Sequence, residues 1–333
     1  MMLRRILGAA FVAVLALAAG AASAQDGVRI AMVVKNLGNG FFDAANKGGQ
    51  EAAAELGDVE LIYTGPTAPT AEGQIEIINA LIAQRVDALV ISANDPNALV
   101  PITQRAMQRG IKVISFDSGI APEGRILHLN PSSNELIGRK QIEMISNTIG
   151  GQGQIAILSA TAQATNQNIW IEEMKKVLAR PEYSGLELVA TVYGDDQSDK
   201  SYREALGLFR TYPDLKGIIA PTTVGISAAA KAVEDENLVG KMFVTGLGLP
   251  SEMAGHVASG AVETFAIWNP IDLGYSATYI AYQLVKEAAT GEPGTSIPTG
   301  RMGSIAVDEN GEAAMAEPFT FDKSNVEEFA RMF

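Results

Sequence analysis

The clearest chemical signal in this sequence comes from polar and aromatic residues that directly follow short apolar runs. Lys35 follows the run IAMVV and opens the segment KNLGNGFF, in which Asn39 precedes Phe41 and Phe42. Asp117 follows the run KVISF in the same way. A lysine and an aspartate paired across a cleft would neutralise each other and still offer donors and acceptors to a hydroxyl group. The ordinary alternatives are a solvated lysine and an entry into a helix core for one of the two phenylalanines.

Amide side chains are densest in the segment TNQNIW, where Asn166, Gln167 and Asn168 are consecutive. A helix N-cap explains one of the three, but capping does not require a run of them. Trp268 and Asn269 follow another apolar run and precede a proline. They are explained either as core plus turn or as an indole that stacks on a ligand next to a polar amide.

The remaining segments at the ends of apolar runs are also rich in hydroxyls, amides and carboxylates: SANDPN, FDSG, YGDDQSD, APTTVG and GLGLPS. A neutral polyhydroxylated ligand needs this mixture, because planar polar groups exchange hydrogen bonds with hydroxyls and aromatic rings cover C–H surfaces. Catalytic motifs are weak by comparison. We find no nucleophile elbow, P-loop or metal-ligand spacing. Asp195 and Asp196 are interpreted as caps or solvated charges, and His128 and His256 as structural residues.

The elements that position these segments alternate between short apolar strands and longer amphipathic helices, which is typical of βαβ units around a parallel sheet. Strands are predicted near residues 28–34, 59–63, 87–92, 112–116, 153–159, 186–193, 217–220, 242–246 and 263–268. A helix is predicted over 70–85, and another is predicted to begin at an N-cap Asp95 followed by Pro96. In open parallel sheets, ligands bind beyond the carboxyl ends of the strands, where the polar segments lie.

The strand and helix pattern runs twice along the chain, which predicts two α/β lobes. Three turns between them, near 128–138, 268–272 and 291–300, would form a hinge. We assign residues 25–129 plus 269–299 to the N-terminal lobe and 130–268 plus 300–333 to the C-terminal lobe. The expected fold is therefore two doubly wound parallel-sheet lobes, joined by three crossovers, with a cleft between them.

The N-terminus carries Arg4 and Arg5, an apolar stretch and then Ala22-Ser23-Ala24, the arrangement of a cleavable signal peptide over 1–24. The alternative, a membrane anchor, needs a longer apolar segment than 6–19. With no Cys for a lipid anchor, we expect a periplasmic protein without direct membrane insertion. The net charge of −13 argues against nucleic acid as a partner, although it is also explained by solubility alone.

Several long segments resemble the type I periplasmic sugar-binding proteins of ABC importers: KNLGNGFF, AQRVDALVISANDP, RGIKVISFDSG, TNQNIW and PDLKGIIAP. Within that family the chain is similar to rhamnose-binding proteins through TGPTAPTAEGQIEIINALIAQ, VYGDDQSDKSYREA and GLGLPSEMAGHVASGAVETFAIWNPIDLGYSAT. The resemblance implies a non-enzymatic protein that closes on a monosaccharide, L-rhamnose in particular, and passes it to a membrane permease. It implies no cofactor and no metal, and we expect a monomer.

Receptors for autoinducer-2 are a related group, and their ligand set falls by motif on Lys35, Asp117, Asn166, Gln167, Pro221 and Thr223. Those receptors have Asp in place of Asn166 and Ala in place of Thr223, which changes the hydroxyl pattern that can be recognised. The resemblance to ribose-binding relatives adds Asn39, Phe42 and Trp268. The complete expected ligand site is Lys35, Asn39, Phe41, Phe42, Asp117, Asn166, Gln167, Asn168, Pro221, Thr222, Thr223, Trp268 and Asn269. An autoinducer-2 receptor, or a protein for another deoxysugar or sugar, remains the alternative.

Overall fold

The computed structural model describes residues 27–333, so the predicted signal peptide at 1–24 lies outside the described residues. All nine strands predicted from the sequence are present: three have the predicted ends, and the ends of the others shift by one or two residues. The strands are β1 (Val28–Val33), β2 (Val59–Thr64), β3 (Ala88–Ile91), β4 (Lys112–Phe116), β5 (His128–Asn130), β6 (Gly153–Ser159), β7 (Leu186–Tyr193), β8 (Leu215–Ala220), β9 (Phe243–Gly246), β10 (Phe265–Ile267), β11 (Ser296–Pro298), β12 (Ser304–Ala306), β13 (Glu312–Ala314) and β14 (Phe319–Phe321).

Helices fill most of the connections between these strands. The α-helices are α1 (Gly40–Leu56), α2 (Ala71–Ala83), α3 (Val100–Gln108), α4 (Asn134–Ile149), α5 (Thr165–Leu178), α6 (Ser198–Thr211), α7 (Thr223–Asp235), α8 (Pro250–Ser259), α9 (Pro270–Val285) and α10 (Val326–Phe329). Helix α2 matches its prediction. Helix α3 begins later than predicted, because Asp95 caps only a turn by accepting hydrogen bonds from the backbone of Asn97 and Ala98.

The first sheet has six strands in the order β13-β5-β4-β3-β1-β2, and every neighbouring pair is parallel. Strand β1 lies inside the sheet, between β3 and the edge strand β2, and its apolar side chains are buried, as expected of a strand covered by helices on both faces. Helices α1 and α9 pack against each other, and α9 also contacts β1, β3 and β4. The stretch from 270 therefore returns to the first lobe.

The second sheet has four parallel strands in the order β7-β6-β8-β9. Strand β10 is linked to the β9 edge by parallel bridges and pairs antiparallel with β14. Two separate parallel sheets with helices between their strands confirm the predicted fold class, a type I periplasmic-binding-protein architecture. In both sheets the polar segments singled out in the sequence lie at the carboxyl ends of the strands.

The C-terminal part of the chain divides differently from the prediction. Residues 300–333 were all assigned to the second lobe, but strand β13 pairs with β5 in the first sheet. Strand β14 joins the second lobe through β10, and α10 joins it by packing against α8. The third crossing therefore lies between Ala314 and Phe319, after the short antiparallel pair β11–β12. These strands have three residues each, too few for an alternating pattern to be visible in the sequence.

Candidate functional site

The first lobe contributes a lysine and an aspartate from the ends of two strands that flank β3. Lys35 follows β1 and Asp117 follows β4, and the distance from Lys35 Nζ to Asp117 Oδ2 is 3.5 Å. Both side chains are almost fully buried, with exposed fractions of 5% and 6%. Asp117 has a positive φ of 57° and also accepts a hydrogen bond from Ser92 Oγ at 2.7 Å. A buried carboxylate on a residue with a left-handed backbone conformation is characteristic of functional loops.

A buried amide network holds these strand ends in place. Gln74, on α2, donates from Nε2 to the backbone oxygens of Val34 and Ser92 at 3.1 and 2.7 Å. The Asn94 backbone N–H donates to Gln74 Oε1 at 2.8 Å, and Asn94 Nδ2 donates to the Lys35 oxygen at 2.9 Å. The backbone that carries Lys35 is therefore fixed by side chains that do not line the cleft.

The second lobe reaches the same pair of charges through the start of α5. Asn166 Nδ2 donates to Asp117 Oδ1 at 2.9 Å, and Lys35 Nζ donates to Asn166 Oδ1 at 3.2 Å. Thr165 Oγ1 donates to the Gly119 oxygen at 2.9 Å. Direct side-chain bonds between residues of the two lobes show that the structure is in a closed conformation.

Other second-lobe residues complete a polar surface. Gln167 Nε2 donates to the Pro221 oxygen at 2.5 Å, and Ser159 Oγ donates to Gln167 Oε1 at 3.2 Å. Thr222 Oγ1 donates a short hydrogen bond to Asp196 Oδ1. Because only one oxygen of Asp196 has a hydrogen-bond partner among residues 27–333, this carboxylate retains acceptor capacity.

Aromatic side chains form the apolar part of the site. The rings of Phe41 and Phe42 are 5.3 Å apart and nearly perpendicular, and Phe41 meets Trp268 edge-on at 6.1 Å. Trp170 lies 5.7 Å from Trp268 at a tilt of 59°. Asn39 caps α1 by accepting a hydrogen bond from the Phe41 backbone nitrogen, which fixes where the phenylalanine pair begins.

These groups surround a cleft of about 370 Å³ between the lobes. Its lining combines buried charges, amides, hydroxyls and aromatic rings, the composition predicted for a polyhydroxylated ligand. The lining residues are Lys35, Asn39, Phe41, Phe42, Asp117, Asn166, Gln167, Trp170, Asp196, Pro221, Thr222, Thr223, Leu247, Ile267 and Trp268.

Eleven of the thirteen residues proposed from the sequence lie in this lining; the exceptions are Asn168 and Asn269. Asn168 Nδ2 donates to the Ala162 oxygen, and Asn269 caps α9 while donating to Asp272 Oδ2. Both are therefore occupied by local hydrogen bonds, the ordinary reading of an amide at a helix start. Both phenylalanines line the cleft, as in the expected ligand site; the alternative left open was that one of them only enters the helix core.

Sequence reasoning missed four lining residues: Trp170, Asp196, Leu247 and Ile267. Trp170 follows the amide run at helical spacing, a signal that could have included it. The sequence predicts that Asp196, like Asp195, is a cap or a solvated charge, because adjacent residues on a loop rarely face one substrate from opposite sides.

Asp196 is a cleft acid whose pKa is shifted. Burial raises the pKa of its carboxyl group, whereas the nearby Lys35 charge and the Thr222 hydrogen bond act in the opposite direction. Asp195 and Asp196 both have positive φ, 55° and 51°. Two consecutive non-glycine residues in this region are uncommon and strained, which is consistent with a loop shaped for a site.

His128 does not line this cleft, and each of its ring nitrogens has a hydrogen-bond partner. Ser115 Oγ lies 2.9 Å from Nδ1, and Asn130 Oδ1 lies 3.1 Å from Nε2. Burial, assisted by the charge of Arg125, lowers the pKa of His128 to about 3. The ring is therefore neutral at ordinary pH and structural.

Within residues 27–333, no helix is both long and apolar enough to span a membrane.

Two parallel-sheet lobes closed on a polar and aromatic cleft define a periplasmic binding protein. The chain belongs to that family: residues 30–289 match the family model described as a periplasmic binding protein domain. More particularly, it is a periplasmic sugar-binding protein of an ABC transporter. Members of the family are non-enzymatic solute-binding proteins.

Solved structures and a curated relative support this assignment. An ABC transporter solute-binding protein from Clostridium phytofermentas with bound L-rhamnose is 37% identical, with a TM-score of 0.89, covering 92% of this chain and 99% of that one. A sugar ABC transporter protein from Actinomyces odontolyticus is 40% identical, with a TM-score of 0.73 and coverages of 90% and 97%. The D-ribose/D-allose-binding protein of Pseudomonas aeruginosa is 27% identical over 70% of this chain and 74% of its own length.

Proposed function

We propose that this protein binds L-rhamnose between its lobes and delivers it to the permease of its importer. The observation that carries the proposal is the lining of the closed cleft, in which a buried hydrogen-bonding set shares one small space with Phe41, Phe42 and Trp268. A 6-deoxyhexose has ring hydroxyls that the hydrogen-bonding set can bind and a methyl group that the aromatic rings can cover. The relative at 37% identity that contains L-rhamnose supports the choice of sugar.

In this proposal each group has a distinct role. Lys35, Asp117 and Asn166 exchange hydrogen bonds with ring hydroxyls, since together they offer donors and acceptors within a few ångströms. Gln167, Asn39 and Asp196 extend the polar set. The three adjacent residues Pro221, Thr222 and Thr223 shape the edge of the second lobe through backbone and hydroxyl contacts.

Binding drives closure by differential affinity. A sugar that contacts residues of both lobes lowers the free energy of the closed form, and the open form gains nothing comparable. The hydrogen bonds that join Asn166 to Lys35 and Asp117 form in the closed cleft, where solvent does not compete for these groups. They therefore stabilise the closed form together with the ligand contacts. The closed protein is the form presented to the permease.

Titration calorimetry with L-rhamnose, L-fucose, D-ribose, D-allose and autoinducer-2 tests the proposal. We expect L-rhamnose to bind most tightly. Tighter binding of autoinducer-2 would make the protein a receptor for that signal, and tighter binding of another sugar would reassign the transported substrate. Incubation with the bound sugar should return it chemically unchanged.

The proposal includes export after cleavage behind Ala24 and function as a monomer. The leader composition supports cleavage at Ala22-Ser23-Ala24. Protein recovered from the periplasm should begin at Gln25, and sedimentation should give the mass of a single chain with and without sugar. A retained leader, or a dimer at micromolar concentration, would contradict these two points.

A further inference from the structure

Trp268 presents a buried hydrogen-bond donor that the protein itself does not satisfy. Its side chain is 3% exposed and lines the cleft, yet Nε1 has no hydrogen-bond partner among the described residues. An indole nitrogen can only donate, so it needs an acceptor. Buried donors without a partner are rare in native proteins because leaving one unpaired costs free energy.

The other tryptophan provides a direct comparison. The chain has two, and Trp170 lies against Trp268 in the same cleft with its ring equally buried. Trp170 Nε1 donates to Asn134 Oδ1 at 2.8 Å. The fold therefore supplies an acceptor for one indole and none for its neighbour, although amides and carboxylates are abundant nearby.

The Trp268 ring is also held firmly. Phe41 packs against it at 90° and Trp170 at 59°, while the backbone on either side ends β10 and caps α9. A ring constrained in this way cannot turn to find another partner without disturbing the aromatic cluster. The missing acceptor must therefore come from whatever occupies the cleft.

We propose that Trp268 is a polar specificity residue: its indole N–H donates a hydrogen bond to a ring or hydroxyl oxygen of the bound sugar. This inference rests on the proposed function and goes beyond the apolar covering role expected of Trp268 from the sequence. It also links binding to closure. An empty closed cleft leaves the N–H unpaired, whereas a loaded cleft satisfies it, so the group favours closure only with ligand.

The test compares wild type, Trp268→Phe and Trp170→Phe by titration calorimetry with L-rhamnose and by thermal melting without sugar. Phe retains an aromatic ring and removes the N–H. For Trp268→Phe we expect affinity to fall about tenfold or more while the sugar-free melting temperature changes little, because the N–H makes no hydrogen bond within the protein. For Trp170→Phe we expect a lower sugar-free melting temperature, because Asn134 loses its donor.

Affinity of Trp268→Phe within twofold of wild type would overturn the inference. So would a fall in its sugar-free melting temperature comparable to that of Trp170→Phe, since both losses would then reflect packing. Monodeoxy analogues of L-rhamnose and its 5-thio analogue supply a second measurement. In wild type, one of these analogues should bind more weakly than L-rhamnose. In Trp268→Phe, the same analogue should bind as tightly as L-rhamnose. Equal losses in both proteins for every analogue would also overturn it.

The two proposals fail separately. If wild type binds D-allose, D-ribose, L-fucose or autoinducer-2 instead of L-rhamnose, the proposed substrate is wrong and the same variants are compared with the compound that binds. If wild type binds rhamnose and Trp268→Phe binds it equally well, only the role of Trp268 is wrong. If wild type binds none of the five, both are wrong.

Discussion

Asn166 Nδ2 lies 2.9 Å from Asp117 Oδ1, and this hydrogen bond joins the second lobe to the first. The same amide accepts from Lys35 Nζ through its oxygen. One neutral side chain is therefore hydrogen-bonded to both an anion and a cation of the other lobe. The arrangement uses both ends of the amide, since its nitrogen donates and its oxygen accepts, whereas a carboxylate could only accept.

The first prediction concerns Asn166→Asp. The change replaces the donor to Asp117 with a second carboxylate in a buried site, so like charges oppose each other across the closing interface. We expect L-rhamnose affinity to fall at least tenfold, which corresponds to about 1.4 kcal/mol or more. Small-angle scattering with sugar present should show a more open population than wild type.

Asn168→Asp is the matched control for that variant. It adds the same charge to the same helix start, but Asn168 bonds to the Ala162 oxygen and lies outside the cleft. An acid in the first turn of a helix is tolerated or mildly favourable. Equal losses in the two variants would mean that overall charge, and not the contact with Asp117, limits closure.

The second prediction is a pH dependence of affinity. Burial raises the pKa of Asp196 in the sugar-free protein, and a sugar hydroxyl that donates to the ionised carboxylate favours the ionised form. Sugar binding therefore releases a proton, and affinity falls as the pH is lowered through the raised pKa. Calorimetry across the acidic range should show this loss at a higher pH than an ordinary aspartate would give.

Asp196→Asn should weaken binding near neutral pH and flatten that pH profile, because no proton is exchanged at the site. Asn is also well tolerated at positive φ, so the fold should be retained. Asp195→Asn is the control: Asp195 has the same backbone conformation but pairs with Lys200 outside the cleft lining. A wild-type pH profile retained in Asp196→Asn would assign the titration to another group.

What the sequence predicted well was determined by local patterns. The buried strand before Lys35 and the one before Asp117 are short apolar runs, and parallel-sheet geometry brings their ends together. What it missed depended on contacts between distant segments. Strand β13 is defined only by pairing with β5 about 180 residues earlier, and no periodicity marks it. The inward orientation of Asp196 likewise arises from Thr222 and from the loop conformation.

The amide run shows the limit of residue type as a signal. Asn166, Gln167 and Asn168 are equally polar, but they occupy consecutive positions of α5 and therefore point in different directions around the helix. Two of them line the cleft and the third bonds to its own loop. A helical projection from a known first residue would separate them, but the sequence does not locate helix starts to one residue.

The third prediction concerns acid stability. The folded protein holds His128 neutral, with a pKa of about 3, whereas an unfolded histidine has a pKa near 6.5. The unfolded state therefore binds an extra proton between these values, and stability falls as the pH is lowered. At about pH 5 this residue alone should lower the free energy of unfolding by about 2 kcal/mol relative to neutral pH. Urea unfolding at several pH values measures the slope.

His128→Asn should be less stable at neutral pH, because Ser115 and Asn130 lose a shared partner. Its stability should nevertheless fall less steeply on acidification than that of wild type. The nearby charges, Arg125 and its partner Glu312, are unchanged in this variant, so their contribution to the slope cancels. An identical slope in both proteins would show that His128 is not the group responsible.

The last prediction concerns the packing of α1 against α9, which fixes Phe41 and Phe42 relative to Trp268. A Cβ added at Gly274 would meet the Ala45 backbone oxygen at 1.8 Å, and one added at Gly48 would meet the Ile271 oxygen at 1.7 Å. Backbone atoms cannot yield as a flexible side chain can. Gly274→Ala should therefore destabilise the protein by about 1–3 kcal/mol through overpacking, measured by urea unfolding.

Gly255→Ala provides the opposite expectation with the same chemical change. Gly255 lies inside α8, is exposed, and has open space around the added carbon. Alanine there should stabilise the protein by about 0.5–1 kcal/mol, because glycine is the poorer helix former.

Since α1 begins at the cleft and α9 follows Trp268 directly, Gly274→Ala should also weaken sugar binding by spreading the aromatic wall. A destabilised Gly274→Ala protein with wild-type affinity would show that the wall is positioned independently of this helix contact.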